Sequence, residues 1–242
     1  MPSLKELPRV DGTCLTVGGA LIAGVVALGL LVGWRPVTDA DQEVLREMVE
    51  HRSHGVTSVM TLITDVFSPS GTIALALVIA ALLAWRRSPG AAVFVLGSTA
   101  AASAAALVLK YLFERQRPPV IDHLAKESDY GFPSGHVTGT TALLVSTTIA
   151  LTVGWSARRM LLAMVLPAAV IGVVAASRLY LGVHWFSDTA AGVAVGLAGV
   201  AAALGVLPFP RQSTGIAVVP STSPSCQGSR PLAAFMSQRT RP

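Results

Sequence analysis

Residues 15–34 run for 20 positions without a charged side chain. A helix of that length crosses the hydrocarbon core of a bilayer, where every backbone N–H and C=O must find its partner inside the segment. Comparable apolar runs lie at 66–85, 91–113, 137–155, 160–180 and 185–207, with polar connections between them. The chain of 242 residues is 52% hydrophobic and 13% charged, with a mean hydropathy of +0.62. Soluble domains carry roughly 25% charged residues. The expected fold class is therefore all-α, a polytopic membrane bundle of six transmembrane helices over residues 15–207.

The remaining segments read differently. Residues 1–14 form a polar N-terminal segment. No small-residue cleavage site follows the first run, which predicts a retained span and not a signal peptide. Residues 38–54 place Val44, Leu45, Met48 and Val49 in one apolar stripe among charged residues. That pattern predicts a short interfacial amphipathic helix, begun by Thr38 or Asp39 as cap. His51 and His54, near its end, read as solvated. Pro167 predicts a kink. Gly29 and Gly33, and Gly192 and Gly196, have the spacing of close helix contacts. From Pro208 onward Ser, Thr, Pro, Gly and Arg dominate, which predicts a disordered tail over 208–242.

Charge fixes an expected orientation. Arg86-Arg87 and Arg158-Arg159 sit in short connections, and both terminal segments are basic. The positive-inside rule places all four on the cytoplasmic side. The connections after the first, third and fifth spans then face outward. The net charge of +5 is scattered between apolar runs, which argues for orientation and against nucleic acid as partner. Cys14 and Cys226 stand far apart and make no metal-type spacing.

Three stretches carry chemistry, and all three fall on the outer side. The first holds Lys110 and Arg117, seven apart, followed by Pro118. Glu114, four residues after Lys110, is placed to pair with it. The second is Pro133-Ser134-Gly135-His136, ahead of an apolar helix. Ser134 suits an N-cap, Gly135 lets a ligand approach the backbone, and the free N–H groups of a helix start favour anions. His136 can pass a proton to a leaving oxygen. The third runs from Ser177 and Arg178 to His184 and Asp188. His184 and Asp188 share a helix face at a spacing of four, so the carboxylate can hold one ring nitrogen and leave the other free. Taken alone, these groups can equally be an ion pair knitting two membrane helices together, interface lysines and arginines, or an ordinary helix start. Taken together, three cations with no matching acids call for a dianion such as phosphate. The residues show no Asp/Glu/His grouping that calls for a divalent metal, so neither a metal nor another cofactor is expected.

Lys110-x6-Arg117-Pro118, Pro133-Ser134-Gly135-His136 and Ser177-Arg178-x5-His184-x3-Asp188 together resemble the three-part signature of the type 2 phosphatidic acid phosphatase (PAP2) superfamily, in order and without departure. The resemblance implies that His184 is the nucleophile, Asp188 its orienting partner, and His136 the acid that protonates the leaving group. It implies that Lys110, Arg117, Arg178, Ser134 and the Gly135 backbone hold the phosphoryl oxygens. It also implies a metal-independent lipid phosphatase of the cell membrane; the charge pattern, and not the resemblance, predicts that both termini are cytoplasmic and the site extracytoplasmic. The substrate would be a lipid phosphate or diphosphate of the polyprenyl diphosphate, phosphatidylglycerol phosphate or phosphatidic acid class. A phosphotransferase of the same superfamily is the principal alternative. A vanadate-binding haloperoxidase fits poorly with six spans. A lipid-binding or transport protein would need neither the His184–Asp188 pair nor His136.

Overall fold

The computed structural model describes residues 10–86 and 88–207. Most of the 1–14 segment, Arg87 and the 208–242 tail lie outside the described residues. Within them the chain is helical, and no strand is present among the described residues. The helices are α1 (Gly12–Leu31), α2 (Arg35–Glu50), α3 (His54–Val66), α4 (Pro69–Trp85), α5 (Pro89–Phe113), α6 (Gly135–Leu151), α7 (Ala157–Ala163), α8 (Val165–Tyr180) and α9 (Phe186–Val206).

Four of these segments are long and apolar enough to cross a membrane: α1, α5, α7 with α8, and α9. A fifth is made by α3 and α4 together, bent by 56° at their junction. The apolar helix α6 has 17 residues. The structure thus supports an all-helical bundle with four to five spans of full length. Helix α3 was not expected, and the run at 66–85 begins as a helix only at Pro69. There Ser68 caps α4, its Oγ accepting from the Gly71 N–H at 3.1 Å, and Pro69 sits in the first turn, where its missing N–H costs nothing.

Local chemistry sets the other boundaries. Asp11 Oδ1 accepts from the N–H groups of Thr13 and Cys14, so α1 starts ahead of the uncharged run. Helix α2 begins at Arg35 with Pro36 in its first turn, and its cap position is Trp34. Neither Thr38 nor Asp39 caps it. Thr38 lies one turn in, its Oγ donating to the Trp34 carbonyl at 3.2 Å. The expected kink near Pro167 is a break three residues earlier. Pro167 cannot donate to the carbonyl of Ala163 and its ring crowds that carbonyl, so α7 ends at Ala163 and α8 restarts at Val165.

Helix α9 packs against α1, α5 and α6. Gly196 and Gly199 make that approach possible. A Cβ on Gly196 would stand 2.5 Å from Thr141 Cβ, and one on Gly199 would stand 2.6 Å from Ala102 Cβ. Gly192 likewise meets Val137 and the Ser134 carbonyl, and Gly29 meets the ring of Phe113, but Gly33 faces open space. Phe94, Ala102, Ala142, Val200 and Ala203 fill the centre of this contact. Leu77, Val78, Leu107, Val108, Leu161 and Leu166 point outward and are exposed. An apolar exterior around small buried residues is the pattern expected when lipid is the solvent.

Candidate active site

The site forms where the C-terminal ends of α5 and α8 meet the N-terminal ends of α6 and α9. Glu114 closes α5 in the left-handed conformation, with φ 44°, and its N–H donates to the Lys110 carbonyl. The chain therefore turns sharply, and the loop 114–134 folds back over the bundle. Arg52 pins that loop to the end of α8: its Nε donates to the Tyr180 carbonyl at 2.9 Å and its Nη2 to the Asp122 carbonyl at 2.8 Å. Gly182, with φ +72°, turns the chain from α8 towards His184, and Asp122 lies so close that a side chain has no room.

His184 lies in this turn and is 1% exposed. Its Nδ1 faces Asp188 Oδ2 at 3.4 Å, and its Nε2 faces Arg117 Nη1 at 3.0 Å. A guanidinium only donates, so Nε2 accepts, and the ring proton belongs on Nδ1, towards the carboxylate. Burial, with Arg117 and Arg178 close by, pushes the His184 pKa well below the ordinary histidine value. The ring is thus held neutral, with its Nε2 lone pair on the side of the cations.

Asp188 is fully buried. Its Oδ2 also accepts from the Trp185 N–H at 2.9 Å, and its Oδ1 accepts from Arg115 Nη1 at 2.5 Å. The contact to His184 is the longest of the three, so Trp185 and Arg115 fix the carboxylate more firmly than the histidine does.

Lys110, Arg117 and Arg178 converge from two helices and the loop, as the sequence predicts, but they are not without acids. Asp129 Oδ2 pairs with Lys110 Nζ at 2.9 Å and its Oδ1 with Arg117 Nη2. Glu127 bridges Arg117, at 3.4 Å, and Arg178. Two loop carboxylates thus tie three cations, which corrects the expectation of an unmatched positive cluster. Burial alone would raise the Asp129 pKa, but Lys110 and Arg117 hold it down to about 2. Arg178 is 1% exposed; one arm donates to Thr64 Oγ1 and the other to Glu127, while its Nε is buried without a partner among the described residues. The expected pairing of Glu114 with Lys110 is replaced: Lys110 Nζ donates to the Tyr130 carbonyl and pairs with Asp129.

Ser134 occupies the N-cap position of α6, but its side chain makes no capping bond. Its Oγ is buried and unpaired among the described residues. Its backbone N–H donates to the Asp188 carbonyl at 3.0 Å, which ties the starts of α6 and α9 together. Gly135 lies beside Lys110: a Cβ there would stand 3.9 Å from Lys110 Cε. Gly135, His136, Lys110, Arg117 and His184 line one cavity of about 230 Å³, which continues between Pro69, Ile73 and Leu107 of α4 and α5. A more polar cavity of about 650 Å³ opens on the other side of Lys110 and Arg117, lined by loop residues and Tyr111. Among the described residues no group of three or more His, Cys, Asp or Glu is placed to hold a metal ion.

Sequence reasoning missed Arg115, Asp41, Glu127, Asp129 and Thr64. Asp41 had a legible signal. It precedes Leu45 by four and Met48 by seven, on the apolar stripe of α2, and is 2% exposed. A carboxylate on a buried face needs a partner.

Comparison with known proteins gives the family and the fold. The PAP2 superfamily profile matches residues 91–211, half of the sequence, and the chain belongs to that superfamily. Two curated relatives, the decaprenylphosphoryl-5-phosphoribose phosphatases of Mycobacterium tuberculosis strains CDC 1551 / Oshkosh and ATCC 25618 / H37Rv, are each 40% identical over 101 residues. That match takes in 39% of this chain and 49% of each relative, so the chain spans about half the length of the curated relatives it matches. The fold resembles the crystal structure of a transmembrane PAP2-type phosphatidylglycerolphosphate phosphatase from Bacillus subtilis, with a TM-score of 0.69 and 24% identity over 78% of this chain and 94% of that one. Aquifex aeolicus LpxE is similar at a TM-score of 0.54 and 18% identity, over 68% and 94%.

Proposed function

We propose that this protein is a six-span membrane lipid phosphatase that removes a terminal phosphate from a lipid monoester or diphosphate through a phosphohistidine on His184. The carrying observation is the His184 ring itself: buried, with Nδ1 facing Asp188 and Nε2 facing Arg117. In this reading Nε2 attacks phosphorus, and the bond from phosphorus to the leaving oxygen breaks. His136 gives that oxygen a proton, then takes one from the water that splits the N–P bond and releases phosphate. Lys110, Arg117, Arg178, Ser134 Oγ and the backbone at Gly135 hold the phosphoryl oxygens, so that catalysis rests on positioning and charge. No step requires a metal.

The cavity between α4 and α5 supports a lipid substrate, because its wall turns from cations to Ile73 and Leu107. The polyprenyl-linked phosphates deserve first place among candidates, given the names of the curated relatives. Phosphatidylglycerol phosphate and phosphatidic acid belong in the same panel. Phosphate release by the detergent-purified protein, with chelator and without an added acceptor, tests the reading. Release is expected from at least one lipid phosphate. Transfer only to an added alcohol or sugar would favour the phosphotransferase instead.

The reading places the site on the extracytoplasmic face of the cell membrane and both termini inside. Lys126 is exposed in the loop beside the site, whereas Ala125 packs under it against Leu181. In a background without Cys14 and Cys226, Lys126→Cys should react with an impermeant thiol reagent on intact cells and Arg158→Cys should not. The reverse labelling would put the site on the cytoplasmic face.

A further inference from the structure

Helix α2 reaches the site through two side chains that the signature does not include. Asp41 Oδ1 accepts from the Ser187 N–H at 2.8 Å, and its Oδ2 accepts from Ser187 Oγ at 2.6 Å and Arg115 Nη2 at 2.7 Å. The other arm of Arg115 donates to Ser187 Oγ at 2.7 Å and to Asp188 Oδ1 at 2.5 Å. The guanidinium lies over the Trp185 ring, 5.8 Å from its centre, and the Trp185 indole donates to the Gln116 carbonyl at 3.0 Å. One guanidinium therefore bridges two buried carboxylates, and one of these faces His184.

We propose that Asp41 and Arg115 are positioning residues for the His184–Asp188 pair. The inference rests on the phosphatase reading above. The physical argument starts from the 3.4 Å separation of His184 Nδ1 and Asp188 Oδ2, too long to fix the carboxylate plane on its own. Oδ1 is held by Arg115, and Arg115 is held in turn by Asp41. Without the guanidinium, two carboxylates would share a buried space with no counter-charge, and Asp188 would rotate or take up a proton. Lysine cannot replace it, because a point charge does not fork to two carboxylates. Asp41 also takes the Ser187 N–H, one of the unpaired donors of the first turn of α9, so α2 fixes the helix that carries Asp188 as well as the carboxylate.

The test separates positioning from phosphate binding. For Asp41→Asn and Arg115→Lys, kcat should fall about 10- to 100-fold, as expected when a reacting group is displaced by a fraction of its contact distance. The inhibition constant of orthovanadate should stay within about 2-fold, because neither residue touches the cations that would hold it. The double variant should lose little more than Arg115→Lys alone, since Asp41 acts through Arg115. Ser187→Ala, which removes one hydroxyl from the relay and leaves the backbone bond to Asp41, is the milder variant should Asp41→Asn not fold. A few-fold loss of kcat at unchanged vanadate affinity is expected from it. Wild-type kcat in Asp41→Asn, or in Ser187→Ala where the former does not fold, would overturn the proposal. So would a parallel loss of kcat and vanadate affinity, or losses that multiply in the double variant. Wild-type phosphate release that survives His184→Ala would instead remove the phosphohistidine reading, and this inference with it.

Discussion

The two halves of the site are held in different ways. The His184–Asp188 side is tied to buried groups: Asp188 is on α9, and its partners are Trp185 at the start of that helix, Arg115 at the start of the loop and, through Arg115, Asp41 on α2. The cation side is tied to a loop: Lys110, Arg117 and Arg178 share Glu127 and Asp129. Their carboxylate oxygens meet the cations as phosphate oxygens would. Of the two, Asp129 is exposed and Glu127 half-buried, whereas Asp188 and Asp41 are buried. In the proposed reaction, geometry is fixed where the bond to phosphorus would form, and charge is exchangeable where phosphate would enter. Buried groups with short, fully paired bonds cost most to disturb, and surface-reaching pairs cost least.

Substitutions on the two sides should therefore differ in size and in kind. His184→Ala should abolish turnover and leave expression and detergent-solution behaviour intact; substantial phosphate release from that variant would end the assignment of the nucleophile. Arg178→Lys should lower kcat/KM by about 10²-fold, because one ammonium cannot replace a fork aimed at several oxygens. Vanadate affinity should fall with it, unlike in the Asp41 and Arg115 variants. Unchanged vanadate inhibition would show that Arg178 serves Glu127 and Thr64 only. Glu127→Gln should have the smallest effect and the opposite sign, tightening vanadate inhibition by about 2- to 5-fold, because a carboxylate competing for Arg117 and Arg178 becomes neutral. Weaker inhibition would mean that Glu127 holds the two arginines in place and does not compete with the ligand.

Much of this arrangement was legible in the sequence. Apolar runs marked the helices, since a span must satisfy its backbone internally and so declares itself by length. The three short motifs named Lys110, Arg117, Gly135, His136 and His184, which line one cavity. What the sequence hid depends on distance along the chain. Asp41 and Arg115 are 74 residues apart, and nothing local ties an acidic residue on an amphipathic helix to an arginine in a later loop. Glu127 and Asp129 carried no signal of their own, because loop chemistry does not reveal which cations the chain folds back to meet. The bend between α3 and α4 was hidden for a different reason. His54–Val66, with 13 residues, is too short to span alone and too apolar for a loop, and only Ser68 and Pro69 mark where it stops.

The central claim is a covalent one, that phosphate rests on His184 between its two bond changes. The direct measurement is rapid acid-free quenching of the purified protein with a lipid substrate labelled in its terminal phosphate, in the presence of chelator, followed by peptide mapping. The account predicts an acid-labile, base-stable label on the peptide carrying His184, formed at the rate of turnover or faster and absent from His184→Ala. Turnover with no protein-bound phosphate, or a label on any other residue, would contradict it.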